Sequence, residues 1–105
     1  MNVQFRLGTL RFTWDAQKYR TNVLKHEVTF EEAATTWLDA EAQERPDDSH
    51  SSREDRWLRI GLSLRGALLV AWYSVRDLDG EELIRIIGAR RATRNEWRLY
   101  EEEKV

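Results

Sequence analysis

Hydrophobic and polar positions along the chain change their period several times, and each change predicts a new element. Residues 3–6 and 10–14 alternate in character around Gly8, which predicts a first strand pair or one broken strand. A helical period of apolar residues begins after Asp15, a good N-cap, and continues to about Lys25. We therefore expect a first helix immediately after the opening strands.

A second helical pattern follows almost at once. Thr29 and Glu32 form the two ends of a capping box, in which each side chain can accept a hydrogen bond from the other residue's backbone N–H. Apolar residues then recur at helical spacing, which predicts a helix from about Phe30 to Leu38. Only residues 25–28 separate the two helices, so we expect a tight helical hairpin.

The middle of the chain has the patterns of strands. Residues 41–53 are polar and acidic around Pro46 and indicate a solvated loop or a short edge strand. Apolar and polar positions alternate in residues 56–64, as in a half-buried strand, whereas residues 67–75 are almost continuously apolar, as in a central strand covered on both faces. A further strand is expected at residues 83–87. Short turns join the strands at residues 56–64, 67–75 and 83–87, so we expect them to form an antiparallel meander.

A second capping box, from Thr93 to Glu96, predicts a C-terminal helix that ends near Glu103. The expected element order is thus β(β)–α–α–β–β–β–α. Helices packed on one face of an antiparallel sheet give an α+β fold. A chain of 105 residues can bury one hydrophobic core, so we expect a single domain over residues 1–105.

Composition points to a cytoplasmic protein. The chain has no cysteine, which suits a reducing compartment and removes thiol nucleophiles and thiolate ligands. No apolar run is long enough to span a bilayer, and Met1 to Arg6 lacks the pattern of a signal peptide. We therefore expect a cytoplasmic location and no membrane partner.

The net charge of -2 conceals a segregation of charge. Residues 41–55 hold six acidic side chains and two arginines, whereas residues 85–98 hold five arginines and one acidic residue, Glu96. Lysine supplies only three of the 17 basic side chains. Arginine binds phosphate through a planar pair of donors, so this bias favours a phosphate or an acidic partner, although a GC-rich genome also raises arginine content.

Arg85 occupies an unusual position for a cation. It lies on the same face of the predicted strand as apolar residues, and a guanidinium on such a face needs an anionic partner. That partner is either a phosphate or a carboxylate of the same chain. The carboxylates that could serve are Glu54, Asp55 and Glu82.

Further arginines surround the start of the last helix. Arg90 and Arg91 immediately precede Thr93, where free backbone N–H groups and the helix dipole attract anions. Either an acidic segment of the chain or a phosphate is therefore expected there. Arg94 and Arg98 lie one helical turn apart and can extend the same basic stripe.

The remaining candidate groups suit phosphodiester chemistry. The sequence has no metal-ligand signature, no glycine-rich phosphate loop and no serine nucleophile motif, so we expect neither a metal nor a cofactor. Lys25 and His26 lie at the end of the first helix, where the dipole favours a protonated imidazole, and His26 could act as a general acid. Capping of that helix is the simpler alternative.

Several blocks, in order, resemble the BrnT family of toxins and cover about positions 12–102. They are Phe12 to Asp15 with Lys18 and Asn22, Lys25 to His26, Val28 to Ala33, Glu54 to Arg56, Ile60 to Gly61, Leu68 to Val70, Arg85 to Thr93 and Glu96 to Glu101. Two positions depart from the family pattern. Glu27 stands where the family usually has glycine, and Arg91 stands where many members have lysine.

The resemblance implies a small RelE-like fold and a metal-independent endoribonuclease that inhibits translation. It also implies neutralisation by a BrnA-like antitoxin with a ribbon-helix-helix end, and contact with promoter DNA only through the antitoxin complex. Carried over by position, the polar signature of the family falls on Lys25, His26, Glu54, Arg56, Arg85, Arg90 and Tyr100.

In the mechanism that this set suggests, Arg56, Arg85 and Arg90 clamp the scissile phosphate of a bound RNA. Lys25 or His26 transfers protons, and Glu54 and Tyr100 orient groups or RNA. The residues expected to bind RNA beyond the reacting phosphate are Arg91, Arg94 and Arg98. The alternative is a non-catalytic interaction module that binds an acidic protein through its arginine-rich face.

Overall fold

A computed structural model describes residues 1–48 and 55–103 of the chain. The strands are β1 (Asn2–Leu7), β2 (Leu10–Asp15), β3 (Gln43–Pro46), β4 (Trp57–Leu62), β5 (Leu68–Leu78) and β6 (Glu81–Arg91). The helices are α1 (Ala16–His26), α2 (Phe30–Ala34), which continues as a 3₁₀ turn (Thr35–Leu38), and α3 (Arg94–Glu103). In the described ranges, no helix is long and apolar enough to cross a membrane.

The strands form one mixed sheet in the order β1-β2-β6-β5-β4-β3. The opening strand pair and the β4-β5-β6 meander are confirmed, as is the edge-strand interpretation of residues 43–46. The α+β class is also confirmed, whereas the RelE-like part of that expectation stays a prediction. The expectation of a purely antiparallel sheet is wrong, because β2 and β6 pair in parallel. A parallel pair requires a long crossover, and here the crossover contains α1 and α2.

Local hydrogen bonds explain where the first helices begin and end. The Asp15 carboxylate accepts the Lys18 N–H at 2.9 Å and caps α1, as predicted. Thr29 caps α2 in the same way through the N–H of Glu32, at 3.1 Å. The helix predicted to continue to Leu38 tightens after Ala34 into the 3₁₀ turn, where two threonine hydroxyls bond back to carbonyls of the preceding turn.

Helices cover both faces of the sheet, so the expectation that they share one face is wrong. The larger core lies against α2 and includes Trp14, Phe30 and Leu69. The second core joins Tyr100 of α3 to Val70 and other alternate positions of β5. The reason is that β5 is buried at every position from Leu68 to Ser74 except the half-buried Trp72, so each of its faces needs a cover.

The centre of β4, from Arg59 to Gly61, is buried on both sides, whereas the sequence predicted burial on one side. Arg59 lies on the side of α2 and is only 8% exposed. Its guanidinium donates to the Thr36 carbonyl at 2.9 Å, forms an ion pair with Glu44 at 3.0 Å, and lies 4.7 Å from the centre of the Trp37 ring. Because the protein itself supplies these partners, Arg59 is part of the core although it lies at one of the polar positions of β4.

Candidate functional site

Helix α3 covers its face of the sheet only in part. Its buried side chain, Tyr100, packs over β4 and β5, whereas Asn2 and Gln4 of β1 are exposed on the same sheet face. A cavity of about 350 Å³ lies over this uncovered half. We call it the sheet groove, and its lining residues are Asn2, Gln4, Thr13, Arg76, Asp77, Leu78, Leu83 and Arg85.

Arg85 lies at the centre of a row of polar residues that crosses the sheet groove. In the strand registers Gln4 pairs with Thr13, Thr13 with Arg85, and Arg85 with Ser74. The Thr13 hydroxyl donates to the Val3 carbonyl at 2.8 Å. The Ser74 hydroxyl is buried and has no hydrogen-bond partner among the described residues. The register therefore surrounds one guanidinium with neutral polar groups.

The guanidinium of Arg85 forms no ion pair with a described carboxylate, although Asp77 lines the same groove. Its Nη1 lies 3.5 Å from the Asn2 Oδ1, and within residues 1–48 and 55–103 no acidic side chain forms an ion pair with it. The salt bridge to Asp55 or Glu82 is thus wrong, and Glu54 lies outside the described residues. The anionic partner that its position requires is therefore absent from the described chain.

One carboxylate influences Arg85 from a greater distance. The pKa of Asp15 lies below its ordinary value, first because the Lys18 N–H donates to it, with the Met1 ammonium and the Arg85 guanidinium also favouring its charged form. The Asp15 carboxylate is already engaged by the helix cap and lies 3.7 Å from the Met1 ammonium. Asp15 forms no ion pair with Arg85, so the N–H donors of Arg85 stay available to a ligand.

Arg90 has its anionic partner within the chain. Its two terminal nitrogens donate to the two Glu96 carboxylate oxygens at 2.8 and 3.0 Å, and its guanidinium lies 5.3 Å from the centre of the Trp72 ring. These bonds lower the Glu96 pKa to about 2 and raise the Arg90 pKa. Glu96 also accepts the Thr93 N–H, while the Thr93 hydroxyl accepts the Glu96 N–H, which confirms the second capping box. The acidic segment expected beside this helix start is therefore Glu96.

Lys25 and His26 line a different cavity. They lie at the end of α1, where a hollow of about 300 Å³ faces Ile87 of β6. We call it the α1 hollow, and its other lining residues are Gln17, Lys18, Thr21 and Asn22. Ile87 is two positions from Arg85, about 7 Å along an extended strand. The hollow and the sheet groove thus meet the same stretch of β6.

The remaining predicted arginines do not converge on Arg85. Arg56 directly precedes β4 and lines a shallow hollow that also includes three aspartates. Arg91 pairs with Leu69, which places it on the α2 side of the sheet, opposite Arg85. Arg94 and Arg98 are exposed on α3. The structure therefore divides the predicted basic stripe between two faces and a helix surface.

Tyr100 is buried. It is 2% exposed, and its hydroxyl donates to Asp39 at 2.7 Å. Burial and the bond to Asp39 raise the Tyr100 pKa above its ordinary value. Burial alone would raise the Asp39 pKa, but bonds from the Leu62 N–H, the Tyr100 hydroxyl and the Glu41 N–H lower it. The role predicted for Tyr100, orienting groups or RNA, stays a prediction, and in this position its hydroxyl is bound to Asp39.

No group of three or more His, Cys, Asp or Glu side chains that could hold a metal ion occurs within the described parts of the chain. The polar groups that line the groove and the hollow are guanidinium, ammonium, imidazole, amide and hydroxyl, together with the Asp77 carboxylate. Such groups can bind a phosphate, stabilise charge that develops on it, and transfer protons to and from its oxygens. This arrangement suits the cleavage of a phosphodiester.

A family model described as the ribonuclease toxin BrnT of type II toxin-antitoxin systems matches residues 14–96. The chain belongs to the BrnT family. The crystal structure of the Brucella abortus ribonuclease toxin BrnT has a similar fold, with a TM-score of 0.57 and 23% sequence identity over 77% of this chain and 94% of that one. No curated protein matches the chain at a significant level.

The BrnT match covers most of the candidate site but not all of it. Lys25, His26, Arg85 and Arg90 lie within residues 14–96, whereas all of β1 and the residue Tyr100 lie outside. One wall of the sheet groove, formed by Asn2 and Gln4, is therefore built by a segment that the family match does not include.

Sequence reasoning missed the role of Asn22, which belongs to the matched BrnT segment. Its side-chain amide donates to the carbonyls of Val28 and Ala89, at 3.1 and 2.8 Å, and accepts the Ala89 N–H at 3.1 Å. These bonds fix α1 against β6 and so position Lys25 and His26. The available signal was an asparagine inside a helix, where it is disfavoured without a specific hydrogen bond.

Proposed function

We propose that this chain is a metal-independent endoribonuclease that cleaves RNA bound at the sheet groove and thereby inhibits translation. The observation that carries the proposal is Arg85, a half-buried guanidinium on a largely uncovered sheet face with no carboxylate partner among the described residues. A guanidinium in that state is suited to a phosphate, which accepts two parallel hydrogen bonds from it. Membership of a family of ribonuclease toxins supplies the class of reaction.

The proposed mechanism begins with the phosphate on Arg85. The guanidinium stabilises the negative charge that develops on the phosphate oxygens while the ribose 2′-hydroxyl attacks. Lys25 or His26, in the neighbouring α1 hollow, transfers protons to and from the reacting oxygens. RNA itself supplies the nucleophile, and the side chains supply charge and proton transfer, so the reaction needs no metal.

The other predicted residues have supporting roles in this proposal. Arg90, held by Glu96, keeps the Trp72 ring and the start of α3 in place beside the groove. Tyr100 is a positioning residue for α3 through Asp39. Arg56, Arg94 and Arg98 bind the RNA strand outside the reacting phosphate, and Arg91 binds it only if the strand passes around the sheet edge. Glu54 is proposed to orient groups at the site.

We also propose that a BrnA-like antitoxin with a ribbon-helix-helix end neutralises the chain in the cytoplasm. Type II systems pair a protein toxin with a protein antitoxin, and membership of such a family supports this partner. In this proposal, promoter DNA is bound by the antitoxin and reaches the toxin only through the complex. Co-expression of a cognate BrnA-like antitoxin should restore growth to cells that express the chain.

Inducible expression in bacteria tests the proposal. The wild-type chain should arrest growth and fragment total RNA, and Arg85→Ala should do neither while it accumulates as a folded protein. Arg65→Ala is the matched control, because Arg65 is an exposed arginine in the turn before β5 and lies outside the groove. If a folded wild-type chain leaves growth and RNA intact, the non-catalytic interaction module replaces the ribonuclease.

A further inference from the structure

The sheet groove is lined by apolar residues as well as by groups that can bind a phosphate. A phosphate requires cationic and hydrogen-bonding donors, which Arg85 provides. Yet Leu83, half-buried, and Leu78, 46% exposed, also line the groove. Apolar surface next to a cation is typical of a site that takes the flat face of a base as well as a charged group.

The wall formed by β1 supplies amide groups. Asn2 and Gln4 are two positions apart on one strand, so both side chains lie on the groove side of the sheet. Each amide offers two N–H donors and a carbonyl acceptor, the same kinds of groups that the edges of bases present. The Asn2 Oδ1 lies 3.5 Å from the Arg85 Nη1, so the amides are adjacent to the guanidinium.

The groove is also the right size for one nucleotide. Its volume of about 350 Å³ lies near the lower limit of cavities that bind small molecules, roughly 300 Å³. A base in a duplex stays stacked and paired, and its edges are not available to a pocket of this kind. The groove can therefore receive a base only from an unpaired strand.

We infer that the sheet groove binds one unpaired ribonucleotide, with its base against Leu83 and the amides of Asn2 and Gln4 and its phosphate on Arg85. The inference rests on the proposed function, since it names the substrate as single-stranded RNA and assigns base selection to β1. That strand lies outside the residues that the BrnT family match covers.

Titration by NMR tests the site without relying on cleavage. The probes are the four 5′-ribonucleoside monophosphates and inorganic phosphate, each added to wild-type protein, Gln4→Ala and the control Thr9→Ala, which changes an exposed turn residue outside the groove. We expect nucleotides to shift the signals of Gln4 and Leu83, and phosphate to shift only those around Arg85. Gln4→Ala should lower the affinity for at least one nucleotide about fivefold, as expected for the loss of one hydrogen bond, and should leave the affinity for phosphate unchanged.

Two results would overturn the inference. One is equal binding of phosphate and all four nucleotides with the same shifted signals, which would show a phosphate site without a base subsite. The other is an absence of any shift in the groove. In either case, cleavage of RNA by the wild-type chain would leave the proposed function standing, so the two failures are separable.

Mapping of cleavage positions on an unstructured RNA provides the second test. Gln4→Ala should change which bases flank the cut while the chain still cleaves, and Thr9→Ala should give the wild-type pattern. An unchanged pattern in Gln4→Ala and Asn2→Ala would remove β1 from base selection. Binding of nucleotides in the groove without any cleavage of RNA would uphold the site and reject the proposed reaction.

Discussion

Arg85 and Arg90 lie on the same face of β6, although a regular strand would place residues five positions apart on opposite faces. A β-bulge explains the arrangement: Tyr73 pairs with Ile86 and Trp72 pairs with Gly88, so β6 has one extra residue there. The two arginines then differ in their partners. Arg90 is bound by Glu96 at 2.8 Å, whereas the one hydrogen bond of the Arg85 guanidinium to a described residue is that to the neutral amide of Asn2, at 3.5 Å.

The pairing of Arg90 with Glu96 predicts a pH-dependent contribution to stability. Glu96 has its pKa lowered from 4.5 to about 2, so its ion pair and cap stabilise the fold above the unfolded value near 4.5. That contribution is lost as the pH falls toward 2. Glu96→Gln should therefore cost about 1–2 kcal/mol of unfolding free energy at pH 7 and almost nothing at pH 2.

Urea unfolding of both proteins from pH 7 to pH 2 measures this difference. Glu102→Gln is a suitable control because Glu102 is exposed on the same helix and has no ion pair among the described residues. A gap between wild type and Glu96→Gln that stays constant over this range would contradict the assigned role of Glu96.

Removal of the Tyr100 hydroxyl should affect stability more than chemistry. Tyr100→Phe loses the bond to Asp39, which should cost about 1–2 kcal/mol of unfolding free energy. Because the hydroxyl is buried beneath α3 and bound to Asp39, cleavage by the folded fraction should fall less than about tenfold, well short of the loss expected for a transition-state donor. A stable Tyr100→Phe protein with cleavage reduced a thousandfold would show that the Tyr100 hydroxyl takes part in the reaction.

Asn22 should contribute strongly to stability. Asn22→Ala removes three hydrogen bonds between α1 and the backbone of neighbouring segments, and we expect a loss of about 2–3 kcal/mol. Asn22→Asp keeps the acceptor for the Ala89 N–H but turns a carboxylate oxygen toward two carbonyls, so it should be at least as destabilising. Thermal unfolding checks the order, and a near-neutral Asn22→Asp would show that the amide does not hold α1.

Glu27 is the departure from the BrnT pattern whose effect the structure explains. Its φ of 57° places it in the left-handed region at the end of α1, where its N–H bonds to the Val23 carbonyl. The inter-helix turn thus keeps the conformation that favours glycine. Glu27→Gly should stabilise the fold by about 1 kcal/mol, because a side chain in this region is strained.

Glu27→Ala is the control for that prediction. Alanine removes the carboxylate but keeps the Cβ, so it should not stabilise the fold. Equal stabilisation by alanine and glycine would assign the effect to charge rather than to backbone strain, and denaturant midpoints distinguish the two.

Local patterns predicted the elements well because they depend on neighbouring residues. The caps at Asp15 and Thr29 and the capping box from Thr93 to Glu96 lie where the sequence places them, whereas the Glu32 carboxylate of the first predicted box accepts a bond from the Ser63 hydroxyl. The parallel pairing of β2 with β6 was not predictable in this way, because it depends on where a distant strand joins the sheet. The position of α3 also depends on tertiary contacts, in particular the bond from Tyr100 to Asp39.

The candidate site was predictable in its residue types but not in its grouping. The sequence indicated that Arg85 needs an anion, and it left open whether the chain supplies one. It also placed Arg90 and Arg91 in one basic stripe with Arg94 and Arg98, whereas the registers place Arg90 and Arg91 on opposite faces of the sheet. The amides of β1 carried no signal, since Asn2 and Gln4 resemble any exposed polar residues until the strand order places them beside Arg85.

Cleavage of a 5′-labelled single-stranded RNA by purified protein, in buffer that contains a metal chelator, tests the central claim most directly. We expect wild type and Arg65→Ala to cleave at similar rates, and Arg85→Ala to be slower by a factor on the order of 100–1,000, as for the loss of one transition-state donor. Because Arg85 has no ion pair within the described chain, its replacement should leave the unfolding free energy nearly unchanged. A folded Arg85→Ala protein that cleaves at the wild-type rate, or a wild-type protein that cleaves only when a divalent ion is restored, would contradict this account.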